Sequence, residues 1–240
     1  MGRLVGLIFM LLVAGLPARA QTPVALELVL LADATGSIDA AEIQFQREGY
    51  AEAITHPDVL DAISFTGPVA VIYVEWADYT SQHVVADWAV IDDEKSAEAF
   101  ATALLEPPRE AFGRNAIGAA LLFGKSQIED NAYEGARRVI DLSADSANNW
   151  NGPSIEEARA EVLAANITIN GLAVLCRGYS GRPISYDLEE AFEEQIVGGP
   201  NAFVVTADSA ETFSTAVRRK LILEISGVEQ PTRYAMRAIE

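Results

Sequence analysis

Three short oxygen-bearing side chains, Asp33, Thr35 and Ser37, stand at alternate positions in the sequence Asp-Ala-Thr-Gly-Ser. In an extended backbone alternate residues project to the same side, so these three side chains are directed toward one locus. A further carboxylate, Asp145, follows a separate strand-like run at residues 138–142. If the two runs form neighbouring strands, two carboxylates and two hydroxyls converge without a nitrogen or sulfur donor. Such a set favours a hard cation such as Mg²⁺ over zinc.

The same residues also have a purely structural interpretation. Asp33 and Ser37 could cap the helix that follows them, and Asp145 could cap the next helix along the chain. Short polar side chains at a helix start accept hydrogen bonds from N–H groups that have no partner inside the helix. The spacing alone leaves both interpretations open.

The motifs of common catalytic sites are missing from the sequence. It contains no G-x-S-x-G, no H-E-x-x-H, no G-x-G-x-x-G and no complete P-loop. The two histidines, His56 and His83, are predicted to be structural or surface residues rather than general bases. Cys176 at the end of an apolar run is predicted to pack as a small core residue. We therefore predict no catalytic residue.

The charge balance restricts the classes of partner. The chain carries 35 Asp and Glu against 17 Lys and Arg, a formal net charge of −18 at pH 7. This field repels the phosphates of nucleic acids and anionic lipid headgroups. Half of the residues are apolar and 22% are charged, as in a folded protein rather than a disordered one. A role in binding nucleic acid or membrane surfaces is not expected.

The first twenty residues have the pattern of a secretory signal peptide. Arg3 precedes an apolar run at 4–16, and Ala18-Arg19-Ala20 resembles a cleavage site. The run is shorter than the roughly 20 residues that span a bilayer, so no stable membrane insertion is expected after cleavage. We predict a signal peptide at 1–20, one domain at 21–227 and a C-terminal tail at 228–240. The expected location is periplasmic or secreted.

Strand-like and helix-like patterns alternate along the rest of the chain, which predicts an α/β fold. The 69–76 and 82–90 runs are close enough to pair as a hairpin, which predicts one antiparallel strand at an edge of the sheet. Strands are predicted at 25–32, 69–76, 82–90, 138–142, 167–175 and 202–205. Helices are predicted from Asp39, over 93–105, from about 115, over 154–165 and 187–197, and around a stripe of Phe213, Val217 and Leu221.

Functional groups in such a fold are expected in the loops at the carboxyl ends of the strands. These loops follow Asp33, Trp76 and Asp145. The second of them is expected to carry Glu75 and Asp78 as solvated surface carboxylates. Residues 148–150, Asn-Asn-Trp, are predicted either to form a rim that selects a partner or to stabilise their own loop.

The loop at Asp33 resembles that of von Willebrand factor type A (vWA) domains. In that family a metal-ion-dependent adhesion site (MIDAS) uses D-x-S/T-x-S after the first strand, a Thr from a second loop and an Asp after the fourth strand. The chain is more closely similar to an uncharacterised family of exported bacterial proteins with this fold, over roughly residues 25–225. The segments that carry this resemblance are QREGY at 46–50, YVEW at 73–76, RVID at 138–141, NN at 148–149, INGL at 169–172 and VGGP at 197–200.

The resemblance implies a three-layer, doubly wound and mostly parallel six-stranded sheet with a cation at its upper edge. The implied metal ligands are Asp33, Thr35, Ser37 and Asp145, with Asn115 in place of the family's second-loop Thr. Asn115 offers a carbonyl oxygen that reaches one atom further than a hydroxyl. Ser146 stands where the family usually has Gly, which is costly if the backbone there needs a positive φ.

The function that follows is that of an exported, non-enzymatic protein-interaction module. Mg²⁺, or Ca²⁺ or Mn²⁺ in its place, would bridge the site to an acidic side chain of an unidentified protein partner. Two alternatives stay open at this point. One is a metal-independent scaffold whose site has lapsed through Asn115 and Ser146; the other is a metal-assisted hydrolase or phosphatase in which Asp145 or Asp33 positions water.

Overall fold

The computed structural model describes residues 21–175 and 186–227, in which strands and helices alternate. The strands are β1 Thr22–Asp33, β2 Val69–Trp76, β3 Gln82–Ile91, β4 Tyr133–Ala144, β5 Thr168–Val174 and β6 Val204–Ala207. The helices are α1 Ala40–Ile54, α2 Pro57–Thr66, α3 Glu94–Leu105, α4 Ile117–Glu129, α5 Ile155–Ala164, α6 Leu188–Gln195 and α7 Ala210–Ser226.

Several predictions concern residues that lie outside the described ranges: the signal peptide at 1–20, Cys176 and the tail at 228–240. None of the helices within 21–175 and 186–227 has both the length and the hydropathy needed to cross a bilayer.

The six strands form one sheet in the order β3-β2-β1-β4-β5-β6. The central strand β1 pairs in parallel with β2 and β4, in a register that sets Asp33 opposite Trp76 and Ala32 opposite Ser143. The edge strand β3 runs antiparallel to β2. The predicted α/β sheet with one antiparallel edge strand is therefore confirmed. Its parallel order brings the carboxyl ends of β1, β2 and β4 to one edge.

The sheet is covered on both faces because β1 is apolar on both sides. Leu28 and Leu30 pack in a core layer with α1, α2, α3 and α7, whereas Val29 and Leu31 pack in the opposite layer with α4, α5 and α6. Alternate residues of a strand face opposite sides, so a continuous apolar run is what a strand buried between two helical layers requires.

Capping boxes fix where α1, α3, α5 and α7 begin. Asp39 accepts hydrogen bonds from the backbone N–H groups of Ala41 and Glu42, and the Glu42 side chain accepts one from the Asp39 N–H. Ser154 and Glu157 form the same reciprocal pair at the start of α5. The helix start predicted at Asp39 is confirmed, and such pairs satisfy N–H groups that the helix itself leaves free.

Most predicted boundaries lie within two residues of the structure, but β1 begins three residues earlier, β4 begins five residues earlier, and α2 was not predicted. The predicted helices do not include residues 57–66, but α2 lies there, with His56 Nδ1 accepting a hydrogen bond from the Asp58 N–H and Pro57 in the first helical turn. Proline is well suited to that position because its missing N–H has no helical acceptor. Strand β6 begins two residues later than predicted, at Val204.

A buried ionic cluster lies between β4 and α7. The Lys220 ammonium lies 2.7 Å from Asp141 and also pairs with Glu224, and all three side chains are at most 2% exposed. The amide of Asn170 donates a further hydrogen bond to Glu224 at 3.0 Å. Burial raises the pKa of Glu224 to about 7, an effect that Lys220 opposes and Asp141 reinforces. Lys220 is thus the positive charge that two core carboxyls share.

Replacing Lys220 with Met removes this charge and leaves Asp141 and Glu224 together in the core. We expect the free energy of unfolding to fall by about 3–5 kcal/mol, because a buried carboxylate then has no compensating charge. Chemical denaturation of Lys220→Met beside the wild type measures the loss. Lys125→Met is the matched control, because Lys125 pairs with Glu129 at the surface, and its effect should be about 0.5 kcal/mol. Equal losses in the two variants would contradict the assignment.

Candidate metal site

The loops after β1, β2 and β4 meet the segment before α4 at one edge of the sheet, and backbone hydrogen bonds join them. The Gly36 N–H donates to the Gly113 carbonyl at 2.8 Å, and the Ala116 N–H donates to the Ala77 carbonyl at 3.0 Å. The Trp150 N–H donates to the Asn115 carbonyl at 2.8 Å. These bonds bring the loops after β1 and β4 and the segment before α4 to one place.

Asp33 ends β1 and is buried, with 1% of its surface exposed. Its Oδ1 accepts a hydrogen bond from the Thr35 N–H at 2.8 Å. Its Oδ2 is buried without a hydrogen-bond partner in the described part of the chain. The hydroxyl oxygens of Thr35 and Ser37 lie 3.0 Å apart. The structure therefore brings the three alternate residues together in one loop, as the spacing predicts.

Asp145, after β4, is buried close to Asp33. Burial and the nearby Asp145 carboxylate together raise the pKa of Asp33 to about 7, against hydrogen bonds from Thr35 and from the Asp145 backbone N–H that lower it. Asp145 is itself only 2% exposed. Two carboxyl groups are thus held near each other away from water, an arrangement that a divalent cation between them would stabilise.

Asn115 reaches the site through Ser146. Its Nδ2 donates a hydrogen bond to Ser146 Oγ at 3.2 Å, and Ser146 is the neighbour of Asp145 in the chain. Asn115 is 9% exposed, so its side chain is directed into the protein rather than into solvent. The backbone of Ser146 does not have a positive φ, so a serine in place of the family's glycine carries no such cost. The non-glycine residues with positive φ in the described ranges are Asn166 and Asn201.

The capping interpretation of these residues is wrong. Asp39 caps α1 and Ser154 caps α5, so neither Asp33 nor Asp145 occupies a helix N-cap. The Asp33 carboxylate instead bonds to the N–H two residues later, inside its own loop. Simple helix capping therefore does not explain why two carboxyl groups are buried at this edge.

The donor set fits a hard cation better than a transition metal. Across residues 21–175 and 186–227, no group of three or more His, Cys, Asp or Glu side chains is placed to hold a metal ion. A cation here would have two carboxylates, with hydroxyl, amide and water oxygens completing its shell. Mg²⁺ commonly takes one or two protein carboxylates and keeps several waters.

Arg109 is a structural part of the site that the sequence analysis missed. Its guanidinium donates hydrogen bonds to the carbonyls of Ala34 at 2.6 Å, Thr35 at 3.1 Å and Ile38 at 2.9 Å. It thereby fixes the loop after β1. No local pattern could reveal this contact, because Arg109 is more than seventy residues from its acceptors.

The two carboxylates expected after β2 behave differently from each other. Glu75 lies inside β2, is 1% exposed and pairs with Arg47 at 2.7 Å, so the prediction of a solvated loop carboxylate is wrong for this residue. Asp78 is partly exposed in the loop, and its pKa is lowered by hydrogen bonds from the Arg114 N–H, the Asn151 side chain and the Tyr79 N–H.

Asn149 has the loop-stabilising role that the sequence left open for residues 148–150, and Trp150 is exposed. The Asn149 side chain accepts from the Gly118 N–H at 3.0 Å and donates to the Pro153 carbonyl at 2.9 Å, so it stabilises its own loop. Trp150 is 58% exposed beside the site. The loop therefore has an internal asparagine support and an outward aromatic ring.

Comparisons with known proteins agree with this fold. The family model described as "Protein of unknown function (DUF1194)" matches residues 23–229. No curated protein matches the sequence. The similar solved structures include vWA-type domains, and the vWA-like fold suggested by the sequence is confirmed.

Three solved structures illustrate the likeness. Mussel byssus proximal thread matrix protein 1, with a zinc-occupied MIDAS motif, is 15% identical at a TM-score of 0.62, covering 86% of this chain and 49% of that one. The pilus adhesin SpaC of Lactobacillus rhamnosus GG is 12% identical at a TM-score of 0.59, covering 86% and 31%. A von Willebrand factor type A structure from Catenulispora acidiphila is 16% identical at 0.56, covering 83% and 42%. This chain thus spans less than half the length of each.

The raised pKa of Asp33 predicts how the metal-free protein responds to pH. Between its ordinary value of 3.8 and about 7, the folded protein keeps a proton that the unfolded chain has lost. This contribution to stability is therefore complete below about pH 4 and is lost as the pH rises through 7. In EDTA, Asp33→Asn should remove this loss and raise the free energy of unfolding at pH 8 by on the order of 2–4 kcal/mol.

Denaturant unfolding at pH 5 and pH 8 measures the effect. The variant should gain at pH 8 relative to the wild type and show a smaller difference between the two pH values. Asp61→Asn, which replaces an exposed carboxylate on α2, is the matched control. A variant whose stability falls at pH 8 would show that the Asp33 carboxylate is stabilising in the metal-free protein.

Proposed function

We propose that this chain, which belongs to the DUF1194 family of proteins of unknown function, is an exported, non-enzymatic interaction module. It binds an acidic side chain of another protein through a divalent cation. The cation is Mg²⁺, with Ca²⁺ or Mn²⁺ as substitutes, and its protein ligands are Asp33, Thr35, Ser37, Asp145 and Asn115. Export rests on the signal-peptide pattern of residues 1–20.

The observation that carries the proposal is the buried Asp33 carboxylate. Its Oδ2 has no hydrogen-bond donor within the described ranges, although burying an unsatisfied charged oxygen is costly. A second carboxyl, Asp145, is close enough to raise the pKa of Asp33, and the hydroxyls of Thr35 and Ser37, in the same loop, lie 3.0 Å from each other. A cation would neutralise the two carboxyl groups, and its open coordination position would accept a carboxylate from a partner.

A non-enzymatic role is supported by the positions of the histidines. His56 caps α2 through Nδ1, and its Nε2 lies 2.7 Å from Arg218 Nη1. His83 lies on the edge strand β3, close to Glu110. Neither belongs to the loops that contain the candidate ligands, so the described part of the chain offers no histidine base there.

Two structural relatives support the proposal through what they bind or do. One is a matrix protein whose MIDAS motif holds zinc, and another is a pilus adhesin. The loops at the carboxyl ends of β1, β2 and β4 could serve the same two purposes, binding a cation and contacting a protein. The zinc in that relative also makes Zn²⁺ a useful comparison in metal titrations of this chain.

Thermal unfolding tests the metal site directly. Adding Mg²⁺ after EDTA treatment should raise the Tm of the wild type. At a cation concentration about 100 times the Kd, binding stabilises the folded state by about 2.7 kcal/mol, which corresponds to roughly 5–10 °C for a chain of this size. Each variant is compared with its own EDTA baseline, and Asp33→Ala should show no rise.

Asn115→Thr tests whether the amide weakens the site. A hydroxyl at this position would restore the family pattern, so the variant should show a larger rise in Tm than the wild type at the same Mg²⁺ concentration. A rise in the variant with none in the wild type would mean that the native site has lapsed. No rise in either protein with Mg²⁺, Mn²⁺, Ca²⁺ or Zn²⁺ would contradict a cation site.

Partner capture tests the interaction role. Immobilised wild-type chain should retain a protein from a periplasmic or secreted extract in Mg²⁺ and release it in EDTA, because the cation is the bridge. Asp33→Ala should retain none, whereas Asp61→Asn should behave as the wild type. Capture that is unchanged by EDTA and by Asp33→Ala would contradict a bridging cation.

A further inference from the structure

Exposed aromatic side chains are concentrated at the edge of the sheet that carries the candidate ligands. Among the described residues, the aromatic rings that are large and exposed are Phe65, Tyr79, Phe112, Trp150 and Tyr186. Phe65 lies near the end of α2, whereas the other four lie in the loops after β2, before α4, after β4 and before α6. We call Tyr79, Phe112, Trp150 and Arg114 the rim.

The rim is held in place by contacts between its loops. Asp78 accepts hydrogen bonds from the Arg114 N–H at 3.4 Å and from Asn151 Nδ2 at 2.9 Å, so it joins three segments. The Tyr79 ring packs so close to Gly152 that a Cβ there would lie 2.7 Å from the ring. These contacts fix the Tyr79 ring and join the loops that carry the rim, which lowers the cost of ordering this surface when a partner binds.

Arginine accompanies two of these rings. Arg114 lies over the Trp150 ring at 4.2 Å, and Arg109 lies over the Phe112 ring at 4.8 Å. The Arg109 guanidinium is occupied by the carbonyls of the loop after β1. Arg114 is exposed, and no ion pair within 4.0 Å joins its guanidinium to a residue in the described ranges, although its charge helps to lower the pKa of Asp78. Its N–H groups can therefore bind an anion while the ring supports the guanidinium plane.

Arg114 and Trp150 are both adjacent to a proposed ligand of the cation, Asn115. Arg114 precedes Asn115, a proposed ligand, and the Trp150 N–H donates to the Asn115 carbonyl. Consecutive Cα atoms are about 3.8 Å apart, so the candidate cation at Asn115 and the guanidinium of Arg114 lie within the length of a short peptide segment. Both groups attract carboxylates. In a chain with 35 acidic and 17 basic residues, this placement of arginine favours an acidic partner locally.

We infer that the rim recognises a protein segment with two neighbouring acidic residues and an adjacent apolar side chain. One carboxylate binds the cation and the second forms a bidentate pair with Arg114. The apolar side chain packs on the rings of Trp150 and Tyr79. The inference rests on the proposed function for the first carboxylate and adds the second carboxylate and the apolar contact.

The test is a selection of random linear peptides on the purified wild-type chain in Mg²⁺. The selected peptides should share a pair of acidic residues, adjacent or one apart, beside an aliphatic or aromatic residue. The consensus peptide is then synthesised, and its affinity for each variant is measured by calorimetry. A basic consensus, a consensus without paired acidic residues, or no selected peptide at all would overturn the inference.

Variants separate the two anion contacts. Arg114→Gln should weaken the consensus peptide roughly tenfold, as expected for a charge-assisted bidentate pair, and Trp150→Ala should also weaken it. Replacing the second acidic residue of the peptide with its amide should cost the same factor on the wild type and nothing further on Arg114→Gln. Arg219→Gln on α7 and Phe65→Ala on α2 are matched controls, because both side chains are exposed and lie outside the rim.

The two proposals fail in different ways. Peptide binding that survives EDTA and Asp33→Ala would contradict the bridging cation. Peptide binding that is lost in EDTA but unchanged in Arg114→Gln and Trp150→Ala would contradict only the role of the rim. Melting temperatures of all the variants, measured in EDTA, establish that a lost affinity does not come from unfolding.

Discussion

The burial of the Asp33 carboxylate at the end of the central strand is the constraint on which the site depends. A carboxylate there loses its hydration, and burial and the Asp145 carboxylate outweigh the hydrogen bonds from Thr35 and the Asp145 N–H that favour its charged form. The surrounding loop is nevertheless strongly fixed: Arg109 binds three of its carbonyls, and Gln46 binds the carbonyl of Asp33 itself at 3.2 Å. The fold therefore holds in place a charge that it only partly satisfies, as functional sites often do.

A second set of buried carboxyl groups is neutralised by cationic side chains of the protein itself. On the side of the sheet that faces α1 and α7, Glu75 pairs with Arg47, and Asp141 with Lys220. Here each buried carboxyl has a cationic side chain from a helix packed over it. At the carboxyl edge, Asp33 and Asp145 lie beside each other, and the interaction between them raises the pKa of Asp33. The contrast indicates that the chain supplies its own cations inside the core, and that the edge is suited to a cation from outside.

The sequence predicted the parts of the structure that depend on local patterns. The apolar run of β1, the capping pair of Asp39 and Glu42 and the hairpin of β2 and β3 are all encoded within a few residues of one another. In the same way, the alternation of Asp33, Thr35 and Ser37 predicted one loop of the candidate site. Helix α2 was missed because a His-Pro sequence has the features of a chain break as well as those of a helix start.

Contacts between distant segments could not be predicted in this way. Glu75 was expected in solvent as part of the loop after the second strand, whereas it lies inside β2 and its partner, Arg47, comes from α1. Arg109 and the stacking of Arg114 on Trp150 likewise join segments far apart in sequence. These contacts depend on the strand order, so they become visible only once the sheet is assembled.

Charge balance connects the candidate site with the rim around it. A divalent cation between the carboxylates of Asp33 and Asp145 would be formally neutral, so a third carboxylate from a partner would leave a net negative charge in a partly buried place. Arg109, bound to the carbonyls of Ala34 and Thr35, is the positive charge held against this loop. Arg114 adds another at the surface beside Trp150. The long-range field of an acidic chain disfavours an acidic partner, but screening weakens it beyond about 10 Å in ordinary salt. The local balance of one cation and two arginines can then decide whether the partner binds.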